Sequence, residues 1–220
     1  MSEPTLIQSW EDRDYFVTFR DIPGDHVDDD RYYEDMAGGL TYKKHWCLLA
    51  EIIQADTIIR PRLVCRDAVG REFVVAFYPD NQDDMPRLLA GFKVGNTIAI
   101  FYALGHAFLD GSVGVRVEDA DEVVIMPLNL HHALAMNKQA IESVNRDGTP
   151  RKCHGCGEVK DNLNKCGRCG LFHYCNRNCQ EKGWNDKAHK KFCKVLKDEN
   201  VKTMLSMDYT NYGGGGISFE

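Results

Sequence analysis

Eight cysteine and histidine residues fall into regularly spaced pairs within 41 residues near the end of the chain, from Cys153 to Cys193. A Cys-x-x-Cys turn brings two sulfurs to one ion at about 2.3 Å, and helical residues four apart project from one face. At about four ligands per ion, eight ligands predict two closed tetrahedral zinc sites, which leave no position for a reacting water. The sequence therefore predicts two structural Zn²⁺ ions as cofactors, held by Cys153/Cys156, Cys166/Cys169, Cys175/Cys179 and His189/Cys193.

This segment has few large apolar side chains, so burial alone does not offset an ordering entropy of roughly 1–2 kcal/mol per residue. Zinc binding, at ~10–16 kcal/mol in zinc-finger peptides, supplies the missing free energy. Seven of the nine cysteines lie here, and such clustering favours metal over disulfides in a reducing compartment. We expect the segment to be unfolded without metal.

Charge is distributed unevenly along the chain. Residues 1–150 carry 14 Lys+Arg against 25 Asp+Glu, whereas residues 151–220 carry 13 against 8. Seven thiolates and two Zn²⁺ ions reduce the positive charge of the second part from +5 to +2, so several lysines there act as counter-charges to the sulfurs. Binding to a phosphate backbone, which needs a concentrated positive surface, therefore has weak support.

The stretch from Leu40 to Pro127 contains apolar, β-branched runs separated by turn signals. It predicts five strands, with a short helix or loop at Asp83–Gly91 between the third and the fourth. This order is typical of a small OB-like barrel. The predicted fold class is therefore α+β in two domains, a mostly β OB-like barrel followed by a small two-zinc finger with short helices.

The predicted boundaries follow changes in composition. An acidic segment occupies residues 1–39, and its run Asp25–Asp35 is predicted to be solvated. A helix in which Leu130, Leu134 and Ile141 form an apolar face follows the barrel. No stretch is apolar enough for a membrane helix or a signal peptide, which predicts an intracellular protein of the nucleus, the cytoplasm or both. The predicted divisions are 1–39, 40–128 for the β domain, 129–150 for the helix and a linker ending near Gly148–Pro150, 151–194 for the zinc module, and 195–220 for a helical extension and a flexible Gly-rich tail.

The order C-x2-C, C-x2-C, aromatic-Cys-x3-Cys-Gln, Trp and His/Cys resembles a MYND-type zinc finger, over about a fifth of the chain. One departure is the spacer of four residues between Trp184 and His189, where shorter family members have two. The resemblance implies interleaved sites. One would use Cys153, Cys156, Cys175 and Cys179, and the other Cys166, Cys169, His189 and Cys193.

Spacing alone leaves a sequential arrangement of the ligand pairs open. His154 and His173 are rival ligands, although neither completes a pair.

Gln180 and Trp184 lie one helical turn apart, which places an amide beside an indole ring. This combination suits a proline-rich peptide in an extended conformation, since a proline can stack on the ring while the amide binds a peptide carbonyl. The family resemblance implies binding of short Pro-Leu-containing peptides of partner proteins, with Gln180, Trp184 and Tyr174 as the contact residues. The alternative is that Trp184 and Tyr174 form the small core of the module.

The leading prediction for function is a non-enzymatic protein–protein interaction adaptor acting in transcriptional regulation. The alternative is nucleic-acid binding by the OB-like domain, although strand alternation predicts Phe73 and Phe77 in the core. The basic and aromatic residues of that alternative are Arg60, Arg62, Arg66, Arg71, Phe73, Phe77 and Tyr78.

An enzyme is not expected. MYND fingers also occur in SET-domain lysine methyltransferases, but the chain is too short for that catalytic domain and has no recognised catalytic motif. The histidines at 106, 131 and 132 are isolated. Cys47 and Cys65 are predicted to be small buried thiols within strands.

Overall fold

The computed structural model describes residues 7–25, 28–36, 39–57, 60–79, 85–144, 149–213 and 215–219. These residues form two compact units. The β unit takes the described residues of Glu11–His131 and Tyr209–Glu220, and the cysteine-rich unit takes those of Met1–Trp10 and His132–Asp208. In the part of the chain described, no helix combines the length and apolarity needed to cross a bilayer.

The β unit contains ten strands, one α-helix and a short 3-10 helix at Ala120–Glu122. The helix α1 spans Met85–Gly91, and the strands are β1 Phe16–Val17, β2 Tyr33–Met36, β3 Gly39–Tyr42, β4 Cys47–Asp56, β5 Arg62–Asp67, β6 Glu72–Phe77, β7 Thr97–Phe101, β8 Gly105–Ala107, β9 Val113–Val117 and β10 Val123–Met126.

The main sheet has the strand order β10-β7-β4-β5-β6-β9-β8, with β1 pairing beside β4, and β2 and β3 form a separate hairpin. Strands β4, β5 and β6 form an antiparallel meander, α1 precedes the return of β7 to β4, and β9 runs parallel to β6. This is the strand order of an OB-like fold, which confirms the predicted class.

The described sheet does not close into a complete barrel. Closure would require β7 to pair with β9, but β7 already has β10 and β4 as neighbours, and β9 has β6 and β8. Because a strand has only two hydrogen-bonding edges, these extra partners leave no free edge for closure. The described sheet therefore ends at β10 and β8.

Alternation along the meander builds the core of the β unit. Phe73 and Phe77 are buried on the same face of β6, as predicted. Cys47 and Cys65 are fully buried, and burial raises the pKa of both thiols. The predicted role of these cysteines as small buried thiols is confirmed.

Both ends of the β unit extend beyond the predicted domain, 40–128. Phe16 and Val17 are buried and pair in parallel with β4, although the predicted divisions placed them in the acidic segment 1–39. Tyr209 and Phe219 are also buried, and the Phe219 N–H donates to the Asp121 carbonyl. The described part of the Gly-rich end thus differs from the expected flexible tail, because aromatic residues on both sides of the glycines are packed.

The cysteine-rich unit is mostly helical, with one two-residue hairpin. Its elements are most of α2 Leu130–Ser143, then β11 Asn164–Lys165, β12 His173–Tyr174, α3 Arg177–Asp186, α4 His189–Val195 and α5 Glu199–Ser206. The proposed linker boundary at Gly148 lies outside the described residues.

Helix α2 buries Leu130 as predicted, but the rest of its buried face differs from the predicted one. Ala133, Met136 and Ala140 are fully buried, whereas Leu134 and Ile141 are only half-buried. The buried positions follow the i, i+3, i+7 spacing of a helix, but small side chains mark the face that packs most closely. Beside them, the buried Asn137 accepts a hydrogen bond from the Trp10 N–H at 2.9 Å.

Candidate metal centre

The eight predicted ligands form two separate clusters, and within each cluster the ligand atoms lie within 4.8 Å of one another. Each cluster takes ligands from the first and second halves of the segment. The first contains Cys153, Cys156, Cys175 and Cys179, and the second contains Cys166, Cys169, His189 and Cys193. The structure thus has the interleaved arrangement rather than the sequential one.

The distances within the clusters fit tetrahedral zinc. Bonds of about 2.3 Å to sulfur and 2.0–2.1 Å to nitrogen give tetrahedron edges of about 3.8 Å between two sulfurs and about 3.5 Å between sulfur and nitrogen. Cys156 Sγ and Cys175 Sγ are 3.7 Å apart, and Cys166 Sγ and Cys193 Sγ are 3.8 Å apart. Cys169 Sγ lies 3.4 Å from His189 Nε2. Both clusters therefore have the size and donor set of closed structural Zn²⁺ sites.

The two Cys-x-x-Cys turns share one backbone design. The N–H of Gly157 donates to the Cys153 carbonyl at 2.8 Å, and the N–H of Gly170 donates to the Cys166 carbonyl at 2.9 Å. Both glycines have a positive φ, of 82° and 71°, which side-chain-bearing residues rarely adopt. The glycine that follows the second cysteine is therefore what closes each turn.

Helix α3 holds one ligand of the first site in its first turn. Asn176 caps the helix, and its side chain accepts a hydrogen bond from the N–H of Cys179 at 3.0 Å. A Cβ at Gly155 would lie 2.2 Å from the Cys179 carbonyl oxygen, so only glycine allows this approach. The first site is thus formed where the Cys153 turn meets the start of α3.

Helix α4 presents His189 and Cys193 to the second site. His189 is fully buried, and its Nδ1–H donates to the Tyr174 hydroxyl at 2.6 Å, which leaves Nε2 for the metal. Burial lowers the pKa of His189 to about 4, so the ring is neutral at pH 7, as metal binding requires. The tautomer and orientation of the ligand are fixed by Tyr174.

A chain of hydrogen bonds continues from Tyr174 to helix α2. The Tyr174 hydroxyl donates to His154 Nδ1 at 3.4 Å, and His154 Nε2–H donates to Gln139 Oε1 at 2.8 Å. Burial, and then the proximity of His189, lower the pKa of His154 to about 3, so this ring is also neutral. His189 then donates to Tyr174, Tyr174 to His154 and His154 to Gln139, so these four side chains form one hydrogen-bonded series.

The thiols of the second cluster are electrostatically crowded. Burial raises the pKa of the Cys166 thiol, whereas N–H donors from Cys169 and Arg168 lower it. The net shift of this pKa is downward. Burial and then the neighbouring sulfurs raise the pKa of Cys193 to about 12. Three neighbouring thiolates repel one another, and a bound Zn²⁺ would stabilise them.

Neither rival histidine is a ligand. Both ring nitrogens of His154 are engaged by Tyr174 and Gln139, and its ring stacks on Phe172 with centroids 3.9 Å apart. His173 Nδ1 lies 2.9 Å from the Leu171 carbonyl, and the residue belongs to neither cluster. The role of His154 and Gln139 was missed from sequence, since no spacing rule links residues 15 apart on different elements.

The three predicted peptide-contact residues are not equivalent. Tyr174 is buried and engaged with His189, so its assignment to the peptide surface is corrected: it positions a zinc ligand. Gln180 is exposed, and Trp184 is half-buried, one turn later on α3. The edge of the Trp184 ring meets His189 at 5.2 Å between centroids, so this side chain both packs and faces solvent.

The basic residues proposed for nucleic-acid binding are largely engaged in the β unit. Arg62 pairs with Asp110 at 2.8 Å, and Arg66 pairs with Glu72 at 2.7 Å. The guanidinium groups of Arg60 and Arg116 lie 4.2 and 4.7 Å from the centre of the Tyr78 ring. A base that stacked on Tyr78 would have to displace them.

Comparison with known proteins gives a match for the metal centre. The model of the MYND finger family matches residues 153–193. The chain is 40% identical over 56 residues to human histone-lysine N-methyltransferase SMYD1, covering 23% of this chain and 11% of that protein. It is 35% identical over 65 residues to SET domain and MYND-type zinc finger protein 6 of Schizosaccharomyces pombe, covering 30% and 13%. The chain thus spans about a tenth of the length of the curated relatives it matches.

Solved structures match the chain only loosely. The S. pombe Stn1-Ten1 complex aligns over 51% of this chain and 77% of the matched chain, with 14% identity and a TM-score of 0.33. The S. pombe Pot1pC structure bound to ssDNA aligns over 46% and 93%, with 10% identity and a TM-score of 0.31.

The match to SMYD1 is in the region of the finger and covers only 23% of this chain, so the expectation that this chain is not an enzyme stays a prediction. The ligand geometry and the family match agree on the same residues. Residues 153–193 of this chain are a MYND-type zinc finger with two structural Zn²⁺ sites.

Proposed function

We propose that the finger is a docking module for a short proline-rich, Pro-Leu-containing segment of a partner protein, and that the chain is a non-enzymatic adaptor. The observation that carries the proposal is the pair formed by the exposed Gln180 and the half-buried Trp184 on α3. An indole ring can stack on proline, and the neighbouring amide can bond to a peptide carbonyl.

The support of α3 at both ends favours this function. Cys179 lies in the first turn and belongs to the first zinc site, whereas His189, three residues beyond the helix, belongs to the second. The helix therefore presents Gln180 and Trp184 from a rigid frame. A rigid binding surface loses little conformational entropy when the peptide binds, which raises affinity.

The setting proposed for this adaptor is transcriptional regulation, in the nucleus or the cytoplasm. Nucleic-acid binding by the β unit is the alternative. A labelled single-stranded oligonucleotide titrated at low salt tests that alternative directly, since phosphate contacts are strongest there.

The peptide proposal is tested by fluorescence polarisation with a labelled Pro-Leu peptide and the zinc-loaded protein. We expect Gln180→Ala and Trp184→Ala to weaken binding by roughly tenfold each, as for central contacts of a small interface. Asn178→Ala, an exposed substitution on another face of α3, is the matched control.

Zinc content is measured for every variant, because Trp184 also packs on His189. Gln180 is exposed, so Gln180→Ala separates binding from folding. Unchanged affinity of the Gln180→Ala protein, or equal binding of a peptide with its prolines replaced by alanine, would refute the proposal.

A further inference from the structure

The outward face of helix α4 is entirely basic. His189, Phe192, Cys193 and Val195 point inwards and are buried. The exposed residues of this helix and of the turn after it, here named the lysine stripe, are Lys190, Lys191, Lys194 and Lys197. Their spacing of i, i+4 and i+7 along Lys190, Lys194 and Lys197 keeps them on one side.

The lysines of this stripe have no carboxylate partners within the described ranges, unlike other lysines of the same unit. Lys152 pairs with Glu142 at 3.0 Å, Lys160 with Glu158 at 2.7 Å and Lys202 with Glu199 at 2.6 Å. From 182 to 197 the sequence contains six lysines and a single acidic residue, Asp186. Like charges one helical turn apart repel each other, so helix stability explains only the lysine in the last turn, Lys194, which the helix dipole favours.

Compensation of the zinc sites accounts for only part of this charge. Four thiolates around Zn²⁺ leave a charge of −2, and three thiolates with a histidine leave −1. The four lysines of the stripe and Lys187 already exceed this total, before Arg168 and Lys165 are considered. A net positive surface therefore remains when both ions are bound.

A short turn connects the helix that carries Gln180 and Trp184 to the helix that carries this surface. Lys187, the C-cap residue directly after α3, follows Gln180 and Trp184 at the i, i+4, i+7 spacing, and α4 begins two residues later. The Trp184 ring contacts His189, the first residue of α4, so the indole lies at the junction of the two helices. A peptide bound across Trp184 would have the lysine stripe next to one of its ends.

From these observations we propose that the finger selects proline-rich peptides flanked by acidic residues, with the core on Gln180 and Trp184 and the acidic flank on the lysine stripe. This inference rests on the proposed function and names the class of partner. Helix α4, with seven residues, is about 10 Å long, which matches about three residues of extended peptide. The stripe is thus sized for a short acidic flank.

The test compares three labelled peptides with the same Pro-Leu core, flanked by three acidic, three neutral or three basic residues on either side. We expect the acidic peptide to bind roughly fivefold more tightly than the neutral one in 50 mM salt, and the advantage to fall below about twofold in 500 mM salt, because exposed charge pairs are weak and screened. Lys190→Glu/Lys194→Glu should remove the advantage and favour the basic peptide.

The matched control is Lys93→Glu/Lys138→Glu, which changes net charge equally at two exposed lysines outside the stripe. Zinc content and thermal unfolding verify that the variants are folded. If the neutral peptide binds through Trp184 and Gln180 but the acidic flank gives no gain, the flank inference is wrong while the proposed function stands.

If no core peptide binds, the proposed function fails and the flank inference fails with it. A single-stranded oligonucleotide that binds the native protein more tightly than the acidic peptide, and loses binding in Lys190→Glu/Lys194→Glu, would overturn the assignment of the stripe to an acidic peptide.

Discussion

At the scale of single residues, the Tyr174 hydroxyl connects the second zinc site to the rest of its unit. It accepts from His189 Nδ1 and donates to His154 Nδ1, while the aromatic ring is buried. A hydrogen-bond partner of a ligand histidine fixes the orientation of the ring and raises its basicity. The residue therefore contributes to metal affinity without touching the metal.

We predict that Tyr174→Phe weakens zinc binding at the second site by roughly 10–100-fold, the usual effect of removing such a partner. The first site, which does not include His189, should keep its affinity. Competition with a chelator measures both affinities, and Co²⁺ absorption distinguishes a Cys₃His site from a Cys₄ site.

Gln180→Ala is the control, because Gln180 is exposed on α3 and ligates neither ion. Equal zinc affinity of the Tyr174→Phe and native proteins at both sites would show that the hydroxyl is not required.

The residues that could be predicted from the sequence are those whose chemistry follows from spacing. The ligand pairs are visible because a metal accepts few donor types at few separations. The function of Tyr174 was not predictable, since the side of β12 that faces His189 depends on its pairing with β11 and on the approach of α3. His154 carries the same chemistry as a ligand, and only its neighbours Tyr174 and Gln139 exclude it.

At the scale of elements, the close packing of α3 depends on a glycine inside the helix. A Cβ at Gly183 would lie 2.7 Å from Tyr174 Cε1 and 2.8 Å from His154 Nδ1. Glycine usually destabilises a helix interior by about 0.5–1 kcal/mol relative to alanine. At this position the absence of a side chain is what allows the helix to contact Tyr174.

We therefore predict that Gly183→Ala destabilises the zinc-loaded finger by about 1–3 kcal/mol, the cost of overpacking a core, in spite of its better helix propensity. Chemical denaturation followed by circular dichroism measures the change. Gly167→Ala is the matched control, since a Cβ there meets no atom within 4 Å and φ is not positive. A gain in stability for Gly183→Ala would contradict the packing described.

The turn between α3 and α4 also explains the long spacer noted in the sequence. Helix α3 continues to Asp186, and Ala188 then adopts a left-handed conformation with φ of 58° before α4 begins. The residues between Trp184 and His189 thus complete one helix and reverse into the next. Their number could be read from the sequence, but not the left-handed alanine, because alanine rarely adopts this conformation.

The same limit applies to the β unit. Alternation of apolar residues predicted the strands and the buried Phe73 and Phe77. Alternation could not predict that the barrel stays open, because closure needs a free hydrogen-bonding edge on both β7 and β9. The short strands β10 and β8 occupy those two edges.

At the scale of the whole molecule, the two units differ in what stabilises them. The β unit buries large aromatic and aliphatic side chains, whereas the finger encloses two metal clusters with few such side chains. Removal of zinc leaves seven thiols whose charges repel one another when ionised. The stability of the finger should therefore depend on metal, and that of the β unit should not.

We predict that a strong chelator unfolds residues 153–193 while the β unit stays folded. Hydrogen exchange followed by mass spectrometry should show loss of protection in α3 and α4 and unchanged protection in β4–β7. Adding Zn²⁺ back should restore protection, whereas Mg²⁺, which prefers oxygen ligands, should not. Protection of α3 that survives complete removal of zinc would contradict this account.

The interleaving of the two clusters has a consequence for the nascent chain. The first site becomes complete when Cys179 has been made, but at that point the second holds only Cys166 and Cys169, and α4 does not yet exist. During synthesis, the polypeptide therefore passes through a stage in which the first zinc site has all four ligands and the second has only two thiols. A synthesis pause between Cys179 and His189 would lengthen the period during which those two sulfurs are exposed to oxidants or to foreign metals.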